Sequence, residues 1–260
     1  VTGGSTGIGL AICEHLLAQG VEVFSISRNP SKLLENKKVT QISLDLSLVD
    51  LVSDFAESFL SKHGAPDLLI NNAGYGAFYE LARFPKEEIL SQTAVLFISP
   101  ILLCKAFFPA MEKNEKGTIV NISSLATHYP LPFMSLYNAN KAALSSFTLS
   151  MLLESKFTKW IDFRLGDVLT LFNKSAPKQE KVLQNINMES AWKQIEKQLN
   201  ESPLPHSVVR KLFQSISEGK KGTLYGGSFY HAHILSRIHS FIPQFVLIKL
   251  LREYYFSVNE

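Results

Sequence analysis

The chain opens on VTGGSTGIGLAICEHLLAQG, and this stretch constrains the fold more than any other. Gly3, Gly7 and Gly9 run directly into a segment where Ile8, Ile12 and Leu16 recur every fourth residue. That spacing puts apolar side chains on one helix face, and Gly20 suits the cap at its end. Glycines ahead of a helix let an anion approach the backbone, where free N–H groups and the positive helix end attract it. Such a turn follows a strand. Val1 already stands at that strand's end, so further residues are expected before it.

Downstream, apolar runs alternate with helical patterns. The strand-like runs are VEVFSIS (21–27), VTQISL (39–44), DLLIN (67–71), TIVNIS (118–123) and IDFRL (161–165), with a shorter GTLYGG near Tyr225. This alternation predicts an α/β fold, a doubly wound parallel sheet with helices on both faces. No repeat or low-complexity linker interrupts it, so 1–260 reads as one domain, and a 46% hydrophobic composition supplies a large core. Residues 171–205 break the alternation. They are polar and helix-prone and read as a lid or surface excursion.

A net charge of +3 without a basic run argues against nucleic acid as a partner. Cys13 and Cys104 both fall in helical patterns and read as buried thiols in a reducing, cytoplasmic compartment. The tail FIPQFVLIKLLREYYF is too short for a transmembrane span and carries Lys249 and Arg252.

The spacing Gly3-x-x-x-Gly7-x-Gly9 is a variant of the dinucleotide fingerprint G-x-G-x-x-G. NAD sites place a carboxylate near the end of the second strand, where it binds the ribose 2′-hydroxyl. Here Ser27 and Arg28 stand in that place. A carboxylate repels a 2′-phosphate, whereas a guanidinium pairs with it, so NADP(H) is expected over NAD(H). Asp45, just after the run at 39–44, is placed either to accept from an adenine amine or to cap the helix that follows Ser47.

A second constellation lies in IVNISSLATHYPLPFMSLYNANKAALSSF. Tyr137 and Lys141 are four apart and share a helix face, while Ser124 ends a strand. Tyrosine titrates near pH 10. A lysine ammonium, with an oxidised nicotinamide beside it, favours the phenolate and is expected to lower that value. Tyr137 then exchanges a proton with a carbonyl or alcohol oxygen, and Ser124 hydrogen-bonds the same oxygen.

With these motifs in order, the chain resembles the short-chain dehydrogenase/reductase family. TGGSTGIG matches its TGxxxGxG loop, NNAG at 71–74 its NNAG motif, and YNANK at 137–141 its YxxxK, with Ser124 at the usual offset. LGDVLT at 165–170 is similar to its PG-x-V-x-T stretch. The resemblance runs from Val1 to about Thr170 and resumes weakly at the last strand. It implies a Rossmann-like sheet of about seven parallel strands in three layers, hydride transfer with a nicotinamide cofactor, and a homodimer or homotetramer. It implies Ser124, Tyr137 and Lys141 as catalytic residues, with Lys141 also holding the cofactor ribose. Cofactor contacts carry over to Gly3, Ser5, Thr6, Gly7, Ile8 and Gly9 in the loop. They carry over also to Asn72, Ala73 and Gly74, to Tyr137 and Lys141, and to Gly166, Val168 and Thr170, beside Ser27, Arg28 and Asp45. No metal is expected.

Two residues depart from the pattern. Leu96 stands where the family carries an asparagine that holds a water linking the lysine to a proton chain. Thr93 and Ser99 are the nearby hydroxyls. Leu165 replaces the proline before Gly166, which loosens one backbone restraint.

The substrate side is apolar, with Phe78, Leu125, Tyr129, Leu131, Phe133 and Met134 in the segments expected to face it. This suits a greasy ketone or secondary alcohol, lipid- or steroid-like. His128 reads as an exposed loop residue. The tail at 230–256 is apolar and basic. It reads first as a lid or subunit contact, with an interfacial helix on a membrane as the alternative. His231 and His233, two apart on a helix, do not face the same way and are not a site. The expected activity is NADP(H)-dependent reduction of an apolar carbonyl or the reverse oxidation. The alternative, supported by Leu96, is a nucleotide-binding sensor or scaffold with little turnover.

Overall fold

A computed structural model describes residues 1–31, 37–170, 176–179, 185–228 and 230–256. Its strands are all parallel. β1 (Val23–Ser27) pairs with β2 (Val39–Ser43), and β3 (Leu68–Asn71), β4 (Thr118–Ser124), β5 (Lys159–Leu165) and β6 (Gly222–Gly226) run side by side in that order. Val1 and Thr2 join the two groups. Thr2 bridges Ile26, its N–H donates to the Ile70 carbonyl at 3.0 Å, and Ile26 N–H donates to Val1 at 2.9 Å. The order is therefore β2, β1, the Val1–Thr2 stub, then β3 to β6. Among the described residues these make six strands and a two-residue stub, beside the expectation of about seven.

Burial explains the strands. β4 and β5 are buried along nearly their whole length, as a central parallel strand covered on both faces must be. β2, at the edge, is only partly buried.

Helices α1 (Gly7–Ala18) and α7 (Pro205–Ser217) cover one face, packing Ile12, Leu16, Val208 and Leu212 on Ile70, Ile122 and Phe163. On the other face lie α2 (Val49–His63), α4 (Ser99–Lys113) and α5 (Ser135–Glu154), which bury Val52, Phe59, Leu103, Phe107 and Met151 against Ile119 and Trp160. Cys13 and Cys104 are free and buried. Burial raises both thiols, Cys104 to about 12.

Helix α3 (Lys86–Thr93) continues through a π-helical segment, Ala94–Ile98, into α4. The rod Lys86–Lys113 is long and apolar enough to cross a membrane by length and composition, against the expectation that nothing in the chain reads as an uninterrupted span. Here Leu96, Leu103, Cys104, Phe107 and Met111 are buried in the protein's own interior.

Of the expected excursion at 171–205, residues 171–175 and 180–184 lie outside the described residues. The described part pairs Phe78 with Lys178 and forms α6 (Ile186–Asn200). The tail is a series of short pieces rather than one helix. A π-helical stretch, Tyr230–Leu235, leads to α8 (Ser236–Ile238), a 3-10 turn His239–Phe241 and α9 (Gln244–Phe256). Met188 and Ile195 of α6 and Tyr255 of α9 pack with Phe78 and Met134 in a third cluster, which Tyr137 adjoins. Phe78 is thus a fully buried core residue and does not face a substrate.

Candidate active site

Parallel strands bring their carboxyl ends to one edge. Ser27, Asn71, Ser124, Leu165 and Gly226 all end strands there, and α1 begins there. A cleft of about 1310 Å³ follows this edge.

At one end the glycine loop forms a cradle. Gly3 has φ +67°, and a Cβ on it would stand 2.8 Å from the Ala73 Cα. Gly7 has φ +54° and faces Thr170. The Thr2 hydroxyl ties this loop to the NNAG segment by accepting from the N–H groups of Asn72 at 2.9 Å and Ala73 at 3.0 Å. Asn72 Nδ2 returns a hydrogen bond to the Thr2 carbonyl at 3.0 Å. A bare backbone opening onto the start of a 12-residue helix is a fitting seat for a diphosphate.

The expected cofactor residues Gly3, Ser5, Thr6, Gly7, Ile8, Ser27, Arg28, Asp45, Asn72, Ala73, Gly74, Tyr137, Lys141, Gly166, Val168 and Thr170 all line the cleft. Gly9 does not. It is buried beneath the loop, where a Cβ would meet the Gly3 carbonyl oxygen at 2.1 Å, so it serves close packing of helix on loop. Arg28 is exposed at the end of β1, and the Ser43 hydroxyl donates to its carbonyl at 3.0 Å. Asp45 accepts from the N–H of Ser47 at 2.9 Å and from its hydroxyl at 2.8 Å. It does not cap α2, whose first residue is Val49. It thus closes a local turn on the cleft wall.

At the centre stand Ser124, Tyr137 and Lys141. Ser124 ends β4, and its oxygen accepts from the Ala126 N–H at 3.1 Å, which fixes the turn beyond it. It also lies beside the Tyr137 phenol in the cleft and draws that phenol down. Lys141, one turn along α5, is buried, and its ammonium donates to the Ile122 carbonyl at 2.6 Å and lies 6.0 Å from the centre of the Tyr137 ring. Burial pushes Tyr137 up to about 12, opposed by the Ser124 hydrogen bond and assisted by the Asp167 carboxylate. Burial brings Lys141 down to about 8 against the pull of Asp162. Asp167, a cleft residue next to Gly166, was missed in the sequence, where only the flanking Gly166 and Val168 matched a motif.

Leu96 is fully buried in the π-helical segment. Its methyl abuts the Gly74 backbone, where a Cβ would be 2.8 Å from Leu96 Cδ2 and 3.6 Å from Lys141 Nζ. An apolar group therefore fills the space beside the lysine. Ser99 is committed to the Leu46 carbonyl at 2.6 Å, and Thr93 accepts from Asn140 Nδ2 at 3.4 Å. Leu165 is buried at the end of β5, where it packs on Gly226.

The far end of the cleft is apolar. Leu125, Tyr129, Leu131 and Met134 line it, as do Ile195 and Leu199 of α6 and Leu235, Ile238, Ile242, Leu247 and Leu251 of the tail. Phe133 does not line it; it packs edge-on against Phe78.

Comparison with known proteins follows the same outline. A family model described as short chain dehydrogenase matches residues 1–181. A 3-ketodihydrosphingosine reductase of Bacteroides thetaiotaomicron is 34% identical over 154 residues, covering 59% of this chain and 56% of that protein. The chain spans only about half the length of the first curated relatives it matches. Among solved structures, a short-chain dehydrogenase from Streptomyces avermitilis superposes with a TM-score of 0.80 at 23% identity, over 100% of this chain and 96% of that one. A metagenomic short-chain oxidoreductase in complex with NADP gives 0.60 at 33% identity, over 64% of this chain and 80% of that one.

Proposed function

The chain belongs to the short-chain dehydrogenase family, and from that premise we propose that it is an NADP(H)-dependent oxidoreductase that reduces the carbonyl of an apolar molecule. One observation carries the reading. Ser124, Tyr137 and Lys141 line one cleft that runs from the glycine cradle to an apolar wall.

A reduced nicotinamide, when bound, supplies the hydride for a carbonyl carbon. The glycine loop, Asn72 to Gly74 and Gly166 to Thr170 would hold that cofactor, with Arg28 beside the 2′-phosphate. Tyr137 donates its phenolic proton to the substrate oxygen, and Ser124 hydrogen-bonds the same oxygen as charge gathers there. A phenol held at about 12 carries its proton at neutral pH and so has one to give to a carbonyl oxygen. Lys141 supplies positive charge beside the phenol, and the apolar wall keeps water from the reacting oxygen. The reading treats 1–260 as one nucleotide-binding domain. The Bacteroides relative, named as a reductase of a keto compound, supports a ketone substrate. The relative solved with NADP supports the cofactor.

The test is a panel of ketones and alcohols assayed with NADPH and with NADH. Turnover is expected on apolar ketones, with kcat/KM at least about tenfold higher for NADPH, which one charge contact of ~1.4 kcal/mol supplies. Tight NADPH binding by cofactor fluorescence, with no turnover on any carbonyl, overturns the reading in favour of a nucleotide sensor.

One further feature favours a membrane-facing mouth. Phe241 and Phe245 are 84% and 77% exposed, beside the exposed Arg237, Lys249 and Arg252. Apolar rings among cations suit the surface of an anionic bilayer. Cosedimentation with anionic vesicles is expected for the intact chain and lost in Phe241→Ser/Phe245→Ser. Equal pelleting of both rejects this placement.

A further inference from the structure

Beneath the cleft lies a buried polar chain that the reaction does not use. Asp162 of β5 is fully buried. It accepts from the Ser123 hydroxyl of β4, from the Ser145 hydroxyl of α5 at 2.7 Å and from Arg164 Nε at 2.7 Å. Arg164, also buried, donates from Nη2 to Ser145 Oγ at 2.8 Å, and its Nη1 meets His128 Nε2. The His128 ring stacks on His239 with centres 3.6 Å apart and planes 21° from parallel. His239 Nδ1 lies 3.1 Å from the Ser236 carbonyl. The chain thus runs from the sheet to the tail through the loop that leaves Ser124.

The chemistry fixes protonation states. A guanidinium only donates, so Nε2 of His128 must accept, and the ring is neutral with its hydrogen on Nδ1. His239 Nδ1 faces a carbonyl and must donate. The two rings lie nearly flat against each other.

We propose that Arg164 and His128 are positioning residues for the substrate wall. Held by Asp162, Arg164 fixes the neutral His128, whose ring clamps His239 and with it the tail residues Leu235, Ile238 and Ile242 that close the cleft. The clamp opens in acid, because a proton on His128 Nε2 removes the acceptor and sets N–H against N–H beside a guanidinium. The charged and titratable groups facing His128 are Arg164 and Asp162 from β5 and His239 from the tail. Burial, then Arg164 and His239, hold His128 down at about 4, and Asp162 alone pulls the other way. Tyr129 adds a second tie, its hydroxyl donating to the Leu235 carbonyl at 2.9 Å. That tie does not titrate near neutrality and limits how far the wall opens.

The experiment is amide hydrogen exchange on peptides covering 236–256 at pH 7.5 and pH 5, corrected for the intrinsic rate. Opening of this segment in the wild type is expected to rise more than about tenfold between the two, since the freed imidazole titrates near 6.5 and the clamped one near 4. His128→Gln retains an acceptor for Arg164 and has no proton to gain. With no ring to lay on His239 either, it is expected to show the same opening at both pH values, and His128→Phe likewise shows no acid response. Should the glutamine variant not fold, His239→Ala decides, with opening at pH 7.5 that matches the wild type in acid. Equal protection in the wild type at both pH values, or an undiminished acid response in His128→Gln, overturns the proposal. This readout needs neither cofactor nor substrate, so it fails separately from the oxidoreductase reading. With a ketone substrate the same clamp predicts a KM that rises in acid at pH values where kcat holds.

Discussion

A methyl group on Gly9 would stand 2.1 Å from the Gly3 carbonyl oxygen and 2.5 Å from Asn72 Nδ2. Neither the backbone oxygen nor the amide that braces it can yield, because Asn72 also holds Thr2. Gly9→Ala is therefore expected to push the cradle out of shape. It should weaken NADPH binding at least about tenfold, read by cofactor fluorescence, and lower the melting temperature. An unchanged affinity would mean that the loop is not where the diphosphate sits. At the same scale, the Leu96 methyl stands against Gly74 beside Lys141 and leaves that place apolar.

Single contacts become elements where the chain turns. Glu112, near the end of α4, accepts from the backbone N–H groups of Lys156 at 2.6 Å, Phe157 at 2.9 Å and Thr158 at 2.9 Å, and so fixes the turn that launches β5. Burial pushes its carboxyl up, but the N–H groups of Thr158, Phe157 and Lys156 outweigh it and hold the group at about 2. The carboxylate therefore contributes stability that is complete above about 4.5 and lost as pH falls towards 2. Glu112→Gln is expected to lower the melting temperature by a few degrees at pH 7 and to narrow the gap between variant and wild type at pH 3. A constant gap would show that the carboxylate's charge does not matter there.

The main elements were legible because they follow local patterns. The glycine loop, β3 to β5 and the Tyr137–Lys141 face read directly from spacing. What escaped depends on residues far apart in sequence. Arg164 meets His128 across 36 positions, and no periodicity marks that pair. Phe78 looked like a substrate contact until the Pro177 carbonyl accepted its N–H at 2.9 Å and the fold covered it. The tail reads as one apolar helix, yet Pro243 and the packing of Tyr255 under α6 break it into pieces.

Across the whole molecule, the parallel sheet separates stability from chemistry. Two core clusters clamp the sheet from its two faces, and neither includes Ser124, Tyr137 or Lys141. The cleft is walled instead by the third cluster and by the tail, on which Phe241 and Phe245 are exposed. The claim on which this account turns is that the Tyr137 phenol gives its proton to a carbonyl oxygen. The most direct test is NADPH oxidation over an apolar ketone by Tyr137→Phe, with NADPH affinity measured alongside. A general acid contributes about 10² to 10⁴ in rate, so kcat is expected to fall by at least about a hundredfold while NADPH affinity is unchanged. Turnover at the wild-type rate in that variant would contradict the account.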